Sequence, residues 1–301
     1  MNYNLVTILG PTAVGKTRLA VLLANQFNGE IISADSRQVY IGMDIGTGKD
    51  LNDYIVDGKQ INYHLIDVIH PNDEFNLFEF YKKFFESFYS INQKNKLPFL
   101  CGGTGLYLHS IIKDYNLSEV DFNHDRIEQL NKLDFETLKS MLFKIQPKQH
   151  NTTDIINKER VIRALMVAEQ SVQKEVKYKT KIKSFNIGVF LEREEVKKKI
   201  TERLKMRLQN GMIEEVEKLL HNCVSFERLE QFGLEYKFVA KYLKKEISHQ
   251  EMFEKLNIAI HQFSKRQMTW FRKMEREGIK INWIHGPNFN EAEELILKNL
   301  F

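Results

Sequence analysis

The first part of the chain alternates between short apolar runs and longer amphipathic stretches. The short runs end in glycine or polar residues and predict strands, whereas the stretches with apolar residues at helical spacing predict helices. The predicted strands span 5–9, 30–34, 63–68 and 97–100, and the predicted helices span 16–27, 78–92 and 106–112. Strands and helices that alternate in this way form a parallel sheet. The pattern therefore predicts an α/β fold, a parallel sheet flanked by helices.

The pattern changes in the middle of the chain. Residues 118–182 contain no predicted strand, are rich in Asn, Gln and Lys, and include one clear amphipathic helix over 160–169. We therefore expect a mostly helical inserted domain at 118–182. It would separate two parts of the α/β core, residues 1–117 and residues 183–301.

The C-terminal part returns to strong apolar patterning. Two short apolar runs, 185–191 and 281–284, predict strands that rejoin the sheet. Between them, apolar stripes over 196–220 and 253–274 predict two long helices, and Gln267 interrupts the second stripe.

Residues 10–17, GPTAVGKT, follow the first predicted strand and lead into the first predicted helix. This is the Walker A spacing, in which Gly10 and Gly15 let the loop curl so that its N–H groups point inward. Lys16 brings a charge to phosphate, and Thr17 offers a hydroxyl to a metal ion. The predicted phosphate-binding residues are Gly10, Pro11, Thr12, Ala13, Val14, Gly15, Lys16 and Thr17. The Walker A motif by itself does not distinguish ATP from a pyrophosphate without a nucleoside as the ligand.

Two further segments follow predicted strands. Asp35 comes directly after the strand at 30–34, and a carboxylate there could hold Mg²⁺, accept a proton from a substrate, or simply cap a turn. Gly102–Gly105, with Thr104, could let a ligand approach the backbone, although a plain turn competes with this interpretation and the signal by itself is weak. Gly42–Lys49 is either a mobile flap or a long connection.

Charge is unevenly distributed over the 301 residues. The net charge is +4, but residues 174–210 carry +7 and residues 259–283 carry +4. This asymmetry fits a face that binds a polyanion, and it fits solvated helical faces equally well. Arg203 and Arg207 lie one turn apart, and Trp270 falls on the apolar stripe, which favours a core position over base stacking.

Composition restricts the class of protein. The chain is 43% hydrophobic and 28% charged, which is ordinary for a globular protein, and it has no apolar run long enough to span a membrane. The two cysteines, Cys101 and Cys223, form neither a disulfide framework nor a metal-ligand pair. We expect a cytoplasmic monomer that makes no membrane contact.

Six motifs together resemble bacterial tRNA dimethylallyltransferases, in the same order and over nearly the whole chain. They are GPTAVGKT (10–17), SADSRQVYIGMDIGTGK (33–49), YHLIDV (63–68), GGTGLY (102–107), RVIRAL (160–165) and KRQMTWFR (265–272). The resemblance implies a P-loop NTPase-like fold. It also implies transfer of a dimethylallyl group from dimethylallyl diphosphate to the exocyclic amine of the adenosine 3′ of the anticodon.

The resemblance also implies roles for individual residues. Lys16, Thr17 and Arg203 would hold the diphosphate, with Thr17 on Mg²⁺, so that the loop would bind the prenyl donor and not a nucleotide. Asp35 would orient the adenine amine and take its proton. The implied contacts to the anticodon stem-loop of tRNA are Asp35, Ser36, Arg37, Gln38, Thr104, Glu159, Arg160, Val161, Ile162 and Arg163.

The chain departs from the family pattern at two points. Arg207 stands where many members have Met, and Gly233–Lys237 reads Gly-Leu-Glu-Tyr-Lys in place of a Gly-Tyr-Arg/Lys element. Two other functions remain open for a P-loop chain of this kind, a small-molecule kinase and a non-catalytic, ATPase-like RNA-binding module.

Overall fold

A parallel sheet forms the centre of the larger of two structural units. The computed structural model describes residues 3–115, 117, 120, 122–147, 155, 157–170, 178 and 180–301. The larger unit is formed by Met1–Asp114 and Ile182–Phe301, and the smaller by Tyr115–Lys181.

The order of the strands places several loops at one edge of the sheet. The strands are β1 (Leu5–Leu9), β2 (Gly29–Ala34), β3 (Ile55–Val56), β4 (Lys59–Gln60), β5 (Tyr63–His64), β6 (Leu97–Gly102), β7 (Ser184–Phe190) and β8 (Asn282–His285). The sheet has the order β5-β2-β6-β1-β7-β8 with parallel pairing throughout, whereas β3 and β4 form a separate antiparallel hairpin. The predicted α/β fold is confirmed, and the loops that follow β1, β2 and β6 lie at the same edge.

Helices cover the sheet of the larger unit. They are α1 (Lys16–Gln26), α2 (Leu77–Gln93), α3 (Gly105–Ile112), α7 (Arg193–Gln209), α8 (Met212–His221), α9 (Phe226–Phe232), α10 (Leu234–Leu243), α11 (His249–Arg276) and α12 (Phe289–Leu300), where α4–α6 belong to the smaller unit. Ser248 and Glu251 form a capping box at the start of α11, the longest of them. None of the helices that the structure describes is both long and apolar enough to cross a membrane.

Two predicted elements are wrong in extent. The apolar stripe over 196–220 is not one helix, because Gly211 has φ of 97° and separates α7 from α8. The strand predicted over 63–68 stops at His64, because Leu65 and Asp67 have φ of 62° and 54°, which extended backbone does not allow.

The buried face of α11 also differs from the predicted stripe. Its buried residues are Met252, Leu256, Ile260, Ser264, Gln267, Phe271 and Met274. Gln267 therefore lies on the buried face and does not interrupt it. Phe271 is fully buried, whereas Trp270, which the sequence placed in the core, is only partly buried.

The smaller unit has a hydrophobic core of its own. Its helices are α4 (His124–Asn131), α5 (Phe135–Ile145) and α6 (Lys158–Gln170), and its described residues include no strand. The core residues are Leu130, Leu138, Leu142, Val161, Ile162, Leu165, Met166 and Ala168. The predicted insertion at 118–182 also includes residues 118, 119, 121, 148–154, 156, 171–177 and 179, which lie outside the described residues.

Glu30 on β2 forms a buried charge cluster that should make stability depend on pH. Its side chain has no exposed surface, and it accepts hydrogen bonds from Lys96, Asn62, His64 and Lys94. Burial by itself would raise the pKa of Glu30, but these hydrogen bonds outweigh burial and lower the pKa to about 2. The carboxylate is therefore more acidic in the folded chain than in the unfolded one.

We expect Glu30→Gln to lower the free energy of unfolding by about 3 kcal/mol at pH 7. The stabilisation from Glu30 is fully present above 4.5, the ordinary pKa of a glutamate, and is lost as the pH falls towards 2. Urea unfolding at pH 7 and pH 3 measures this, and the difference between variant and wild type should shrink at pH 3. Glu86→Gln, at an exposed position of α2, is the matched control. An equal loss from Glu30→Gln at both pH values would contradict the prediction.

Candidate active site

The loop between β1 and α1 has the backbone geometry of a phosphate cradle. Ala13 and Gly15 both have positive φ, of 68° and 84°, which turns the chain sharply ahead of the helix. A Cβ atom at Gly10 would lie 2.5 Å from the Val189 carbonyl oxygen, so only glycine lets the loop pass β7. The N–H groups at the start of α1 follow directly and favour an anion.

Lys16 and Thr17 stand at the start of α1, where the cradle ends. The Lys16 Nζ donates to the Pro11 carbonyl oxygen at 3.2 Å, across the loop. Burial lowers the pKa of Lys16, although Cys101 and Asp35 oppose it. Thr17 hydrogen-bonds the buried Cys101 thiol, whose pKa burial raises to about 11. The ammonium group thus stands in a partly buried site, and no carboxylate among the described residues is hydrogen-bonded to it, which favours an anionic ligand.

Arg203 on α7 reaches the same loop. Its Nη2 donates a hydrogen bond to the Thr12 hydroxyl. Burial, followed by the nearby charge of Arg207, lowers the pKa of Arg203 to about 9. The guanidinium remains protonated at neutral pH but lacks enough negative charge around it, and a diphosphate would supply that charge.

The turn after β2 brings Asp35 to this edge and ties it to the turn after β6. The Asp35 Oδ1 accepts the backbone N–H of Arg37 at 3.0 Å. Thr104 Oγ1 accepts the backbone N–H of Ser36 at 3.1 Å, and the Thr104 N–H donates to Ala34 O at 3.2 Å. The loops that carry the predicted residues Lys16, Asp35 and Thr104 therefore meet at one edge of the sheet, as expected for the carboxyl ends of parallel strands.

Gln38 lies deeper in the same turn. Its side-chain amide oxygen accepts from the Ser33 hydroxyl at 3.2 Å, and its Nε2 donates to Gly48 O at 3.3 Å. These bonds join β2 to the glycine-dense loop 42–49. Gln38 is thus placed to hold the loop, whereas its predicted contact with tRNA stays a prediction.

Loop 42–49 is firmly anchored where the structure describes it. Glu215 on α8 accepts the backbone N–H groups of Asp44, Ile45 and Gly46 at 2.9, 2.6 and 3.0 Å. The fully buried Lys49 ammonium donates to Tyr40 O, Asp44 Oδ1 and Asp67 Oδ1. Of the two sequence interpretations, these bonds favour an ordered connection over a flap.

Gln267 on α11 joins two of the site loops, and the sequence interpretation gave it no role. Its Oε1 accepts the backbone N–H of Thr12 at 2.8 Å, and its Nε2 donates to Gly103 O at 2.9 Å. Each partner lies more than 160 positions away in the sequence. The one local signal was a polar residue at helical spacing in an apolar stripe, which indicates a buried hydrogen-bonding role.

We expect Gln267→Leu to lower the free energy of unfolding by about 2–4 kcal/mol, because it leaves the Thr12 N–H and the Gly103 carbonyl buried without a partner. The loop 10–17 should also bind a phosphate ligand more weakly. Urea unfolding and the dissociation constant for inorganic diphosphate measure the two effects. Gln250→Leu, at the exposed start of the same helix, should change stability by less than about 0.5 kcal/mol. Equal effects of the two variants would contradict the role of Gln267.

Glu235 on α10 is a second residue to which the sequence assigned no role, although it lies in the segment Gly233–Lys237 that departs from the family pattern. Its Oε2 accepts from Arg37 Nη1 at 2.7 Å, and its Oε1 accepts from Arg207 Nη1 at 3.3 Å. Arg207 also donates to Gly46 O at 3.3 Å. The two departures from the family pattern, Arg207 and the segment around Glu235, are thus bonded to each other.

A basic surface runs along α11. Lys265, Arg266 and Arg272 are exposed, whereas Trp270 packs against α3. A Cβ atom added at Gly105 would lie 2.6 Å from Trp270 Cβ, and the Trp270 and His109 ring centroids are 5.9 Å apart. The exposed cations are suited to binding a polyanion, whereas the Trp270 ring is packed against residues of α3.

Comparison with known proteins agrees with this geometry. Residues 38–274 match the family model for IPP transferase, and residues 3–68 match a model for isopentenyl transferase. The chain belongs to the IPP transferase family. The resemblance found in the motifs is confirmed.

Similarity to individual members of the family extends over the full chain. The chain is 48% identical over 295 residues to tRNA dimethylallyltransferase 1 of Geotalea daltonii, covering 98% of this chain and 95% of that one. It is 46% identical over 303 residues to tRNA dimethylallyltransferase 1 of Syntrophus aciditrophicus, covering 100% and 99%. The crystal structure of a tRNA isopentenylpyrophosphate transferase from Bacillus halodurans superposes with a TM-score of 0.69 at 31% identity, covering 98% of this chain and 94% of that one.

The remaining predicted tRNA contacts of this family member lie on α6 of the smaller unit. Glu159, Arg160 and Arg163 are exposed, and Val161 and Ile162 are buried in the core of that unit. The sequence named all five residues as contacts. Because two of the side chains are inside the unit, a side-chain contact from this segment falls to the three exposed residues.

The family's chemistry raises the question of a metal ion. The described residues contain no group of three or more His, Cys, Asp or Glu side chains that could hold one unaided. The edge of the sheet does offer the Thr17 hydroxyl, which is a hard oxygen donor. A magnesium ion held by one protein oxygen, by phosphate oxygens and by water fits this donor.

Proposed function

We propose that this chain transfers a dimethylallyl group from dimethylallyl diphosphate to the exocyclic amine of the adenosine that lies 3′ of the anticodon in tRNA. The observation that carries the proposal is that one edge of the sheet combines cations suited to a diphosphate with a carboxylate suited to an amine. Lys16 and Arg203 supply the first, and Asp35 supplies the second. The curated relatives named tRNA dimethylallyltransferase, similar over the full length, support the same reaction.

The cradle would bind the diphosphate of the donor and stabilise it as it leaves. Bond breaking at the allylic C–O bond places negative charge on the departing diphosphate and positive charge on carbon. Lys16, Arg203 and the N–H groups at the start of α1 would stabilise the negative charge where it grows. The Thr17 hydroxyl would hold Mg²⁺, which when bound would supply further electrostatic stabilisation of the same charge.

Asp35 would act on the acceptor. Its carboxylate would accept a hydrogen bond from the adenine amine and orient the nitrogen towards the allylic carbon. As the N–C bond forms and the C–O bond breaks, the amine proton would pass to Asp35, and diphosphate would leave with the bonding electrons. The adenine has to leave its stack for this contact.

The neighbouring turn residues would hold the anticodon stem-loop. Ser36, Arg37 and Gln38 follow Asp35 directly, and Thr104 is hydrogen-bonded to this turn, so the four residues are within reach of the flanking nucleotides. Exposed basic residues of α11 and α6 would add contacts to the phosphate backbone. We further propose that the protein acts as a monomer, which size-exclusion chromatography with light scattering would test.

One assay separates this function from its rivals. The protein is incubated with labelled dimethylallyl diphosphate and unmodified tRNA that carries adenosine 3′ of the anticodon, with Mg²⁺ and without ATP. We expect label on the tRNA at that adenosine. Hydrolysis of ATP or phosphorylation of a small molecule, with no label on tRNA, would favour a P-loop kinase. Binding of tRNA with neither reaction would favour the non-catalytic module.

A further inference from the structure

Glu235 is bonded to Arg37, which belongs to the turn that carries the proposed base, Asp35. The side chain is 3% exposed and is bonded to two guanidinium groups, those of Arg37 and Arg207. Burial by itself would raise the pKa of Glu235, but the charges of the two arginines outweigh it and lower the pKa. Glu235 is therefore a buried carboxylate that stays charged because it is paired.

Two carboxylates interact with Arg37, one through its backbone N–H and one through its guanidinium. The backbone N–H of Arg37 donates to Asp35 Oδ1 at 3.0 Å, so both residues belong to one tight turn. The guanidinium of Arg37 nevertheless bonds Glu235, at 2.7 Å. Burial would lower the pKa of Arg37, and the charges of Glu235 and then Asp35 raise it, so Asp35 also attracts this guanidinium.

We infer that Glu235 is a positioning residue that holds the Arg37 guanidinium away from Asp35 and so keeps the Asp35 carboxylate available for the substrate amine. The inference rests on the proposed function. A carboxylate paired with a guanidinium has its lone pairs occupied and is a weaker base. A competing carboxylate that binds Arg37 more closely prevents this pairing.

The Glu235 side chain is held in place by a bond from α7, and its neighbour Tyr236 is bonded to α8, as a positioning role requires. Arg207 bonds its other oxygen and is itself bonded to Gly46 O. The next residue, Tyr236, is fully buried, and its hydroxyl donates to Glu215 at 2.8 Å. Two neighbouring side chains thus tie this part of α10 to α7 and α8, so Glu235 presents its oxygens to Arg37 from a rigid frame.

Loss of Glu235 should therefore affect Asp35 through Arg37. In Glu235→Gln the side chain keeps its shape but loses its charge, and Asp35 is left as the charged carboxylate that attracts the Arg37 guanidinium. We expect the single-turnover rate constant, at saturating tRNA and donor, to fall by about tenfold or more, a part of what a general base supplies. Glu227→Gln, at an exposed position of α9, is the matched control and should react at the wild-type rate.

The second substitution makes the test specific. Arg37→Gln should raise the KM for tRNA because it removes a predicted contact. Arg37→Gln combined with Glu235→Gln removes the guanidinium together with its partner, so that nothing from position 37 can pair with Asp35. We expect the rate constant of the double variant to return to within about threefold of Arg37→Gln, while its KM for tRNA stays raised. A merely structural role of Glu235 would leave the double variant as slow as Glu235→Gln, and that result would overturn the inference.

Far-UV circular dichroism and urea unfolding establish whether each variant is folded, so that a slower reaction can be told apart from a loss of structure. If Glu235→Gln does not fold, the folded double variant decides, since a rate more than about tenfold below Arg37→Gln overturns the inference. Failure of both variants to fold would assign Glu235 to stability and would also overturn it. Absence of prenyl transfer in the wild-type protein would instead reject the proposed function. An active wild type with an unaffected Glu235→Gln would reject this inference alone.

Discussion

Replacing Asp35 by asparagine is expected to reduce the rate constant of prenyl transfer by about 10²- to 10⁴-fold, which is the range that a general base contributes. Asparagine keeps the oxygen that accepts the Arg37 N–H, so the turn after β2 should stay intact. It cannot take the amine proton at neutral pH. Single-turnover kinetics at saturating tRNA and donor isolate this step, and the affinity for tRNA should change much less than the rate.

Asp57→Asn provides the matched control for this substitution. Asp57 is exposed in the β3–β4 turn with φ of 49°, a backbone conformation that asparagine adopts readily. The same chemical change there should leave the rate unchanged. If Asp35→Asn, with its fold retained, turned over at a rate near that of Asp57→Asn, another group would have to accept the proton.

Local sequence was sufficient to predict the strand–loop–helix unit that we propose binds phosphate. The apolar run Leu5–Leu9, the glycines of the loop and the stripe of α1 are all set by neighbours a few positions away. The same holds for β2, β6 and β7, whose apolar runs are bounded by polar residues or glycine. Because parallel strands end at one edge, the sequence also predicted that Asp35 would face the same crevice as the Walker A loop. The structure adds Thr104 to that edge.

Contacts between segments that are distant in the chain could not be predicted from the sequence. Gln267 pairs with backbone groups of two loops, and a backbone N–H or carbonyl leaves no trace in the residue type that carries it. Glu235 lies 198 positions from Arg37, and three charged residues on three segments look like solvated surface until the fold buries them together. Polar residues at buried helical spacing are the signal that could have drawn attention to Gln267 and Arg207.

Predicted helix boundaries were wrong where the backbone conformation of a single residue ends a helix. The stripe over 196–220 keeps helical spacing through the break at Gly211, so periodicity alone joined α7 and α8. Likewise, Trp270 and Phe271 are adjacent aromatic residues that point about 100° apart around the helix axis, so the direction of the buried face of α11 determines that Phe271 is fully buried and Trp270 only partly. Gln267 was counted as an interruption, which shifted the predicted face towards Trp270.

Replacing Lys16 by methionine should lower kcat/KM for dimethylallyl diphosphate by about 10²- to 10³-fold, because it removes a cation that faces the charge on the leaving diphosphate. Methionine has a similar length and suits the partly buried position, so α1 should keep its packing. Loss of the Lys16 bond to Pro11 O removes one contact across the loop, and this should cost little stability because lysine donates there from a flexible chain. Initial rates over a range of donor concentrations measure the effect.

The discriminating comparison is between the effect of Lys16→Met on kcat/KM for the donor and its effect on the affinity for tRNA. Lys82→Met makes the same change on the exposed face of α2 and should leave both kinetic constants near wild type. In Lys16→Met, the dissociation constant for tRNA without donor should stay within about twofold, because the cradle addresses the diphosphate and not the nucleic acid. If tRNA affinity fell as far as kcat/KM for the donor, Lys16 would act on the acceptor side. The division of the site into cations for the leaving group and a carboxylate for the amine would then be wrong.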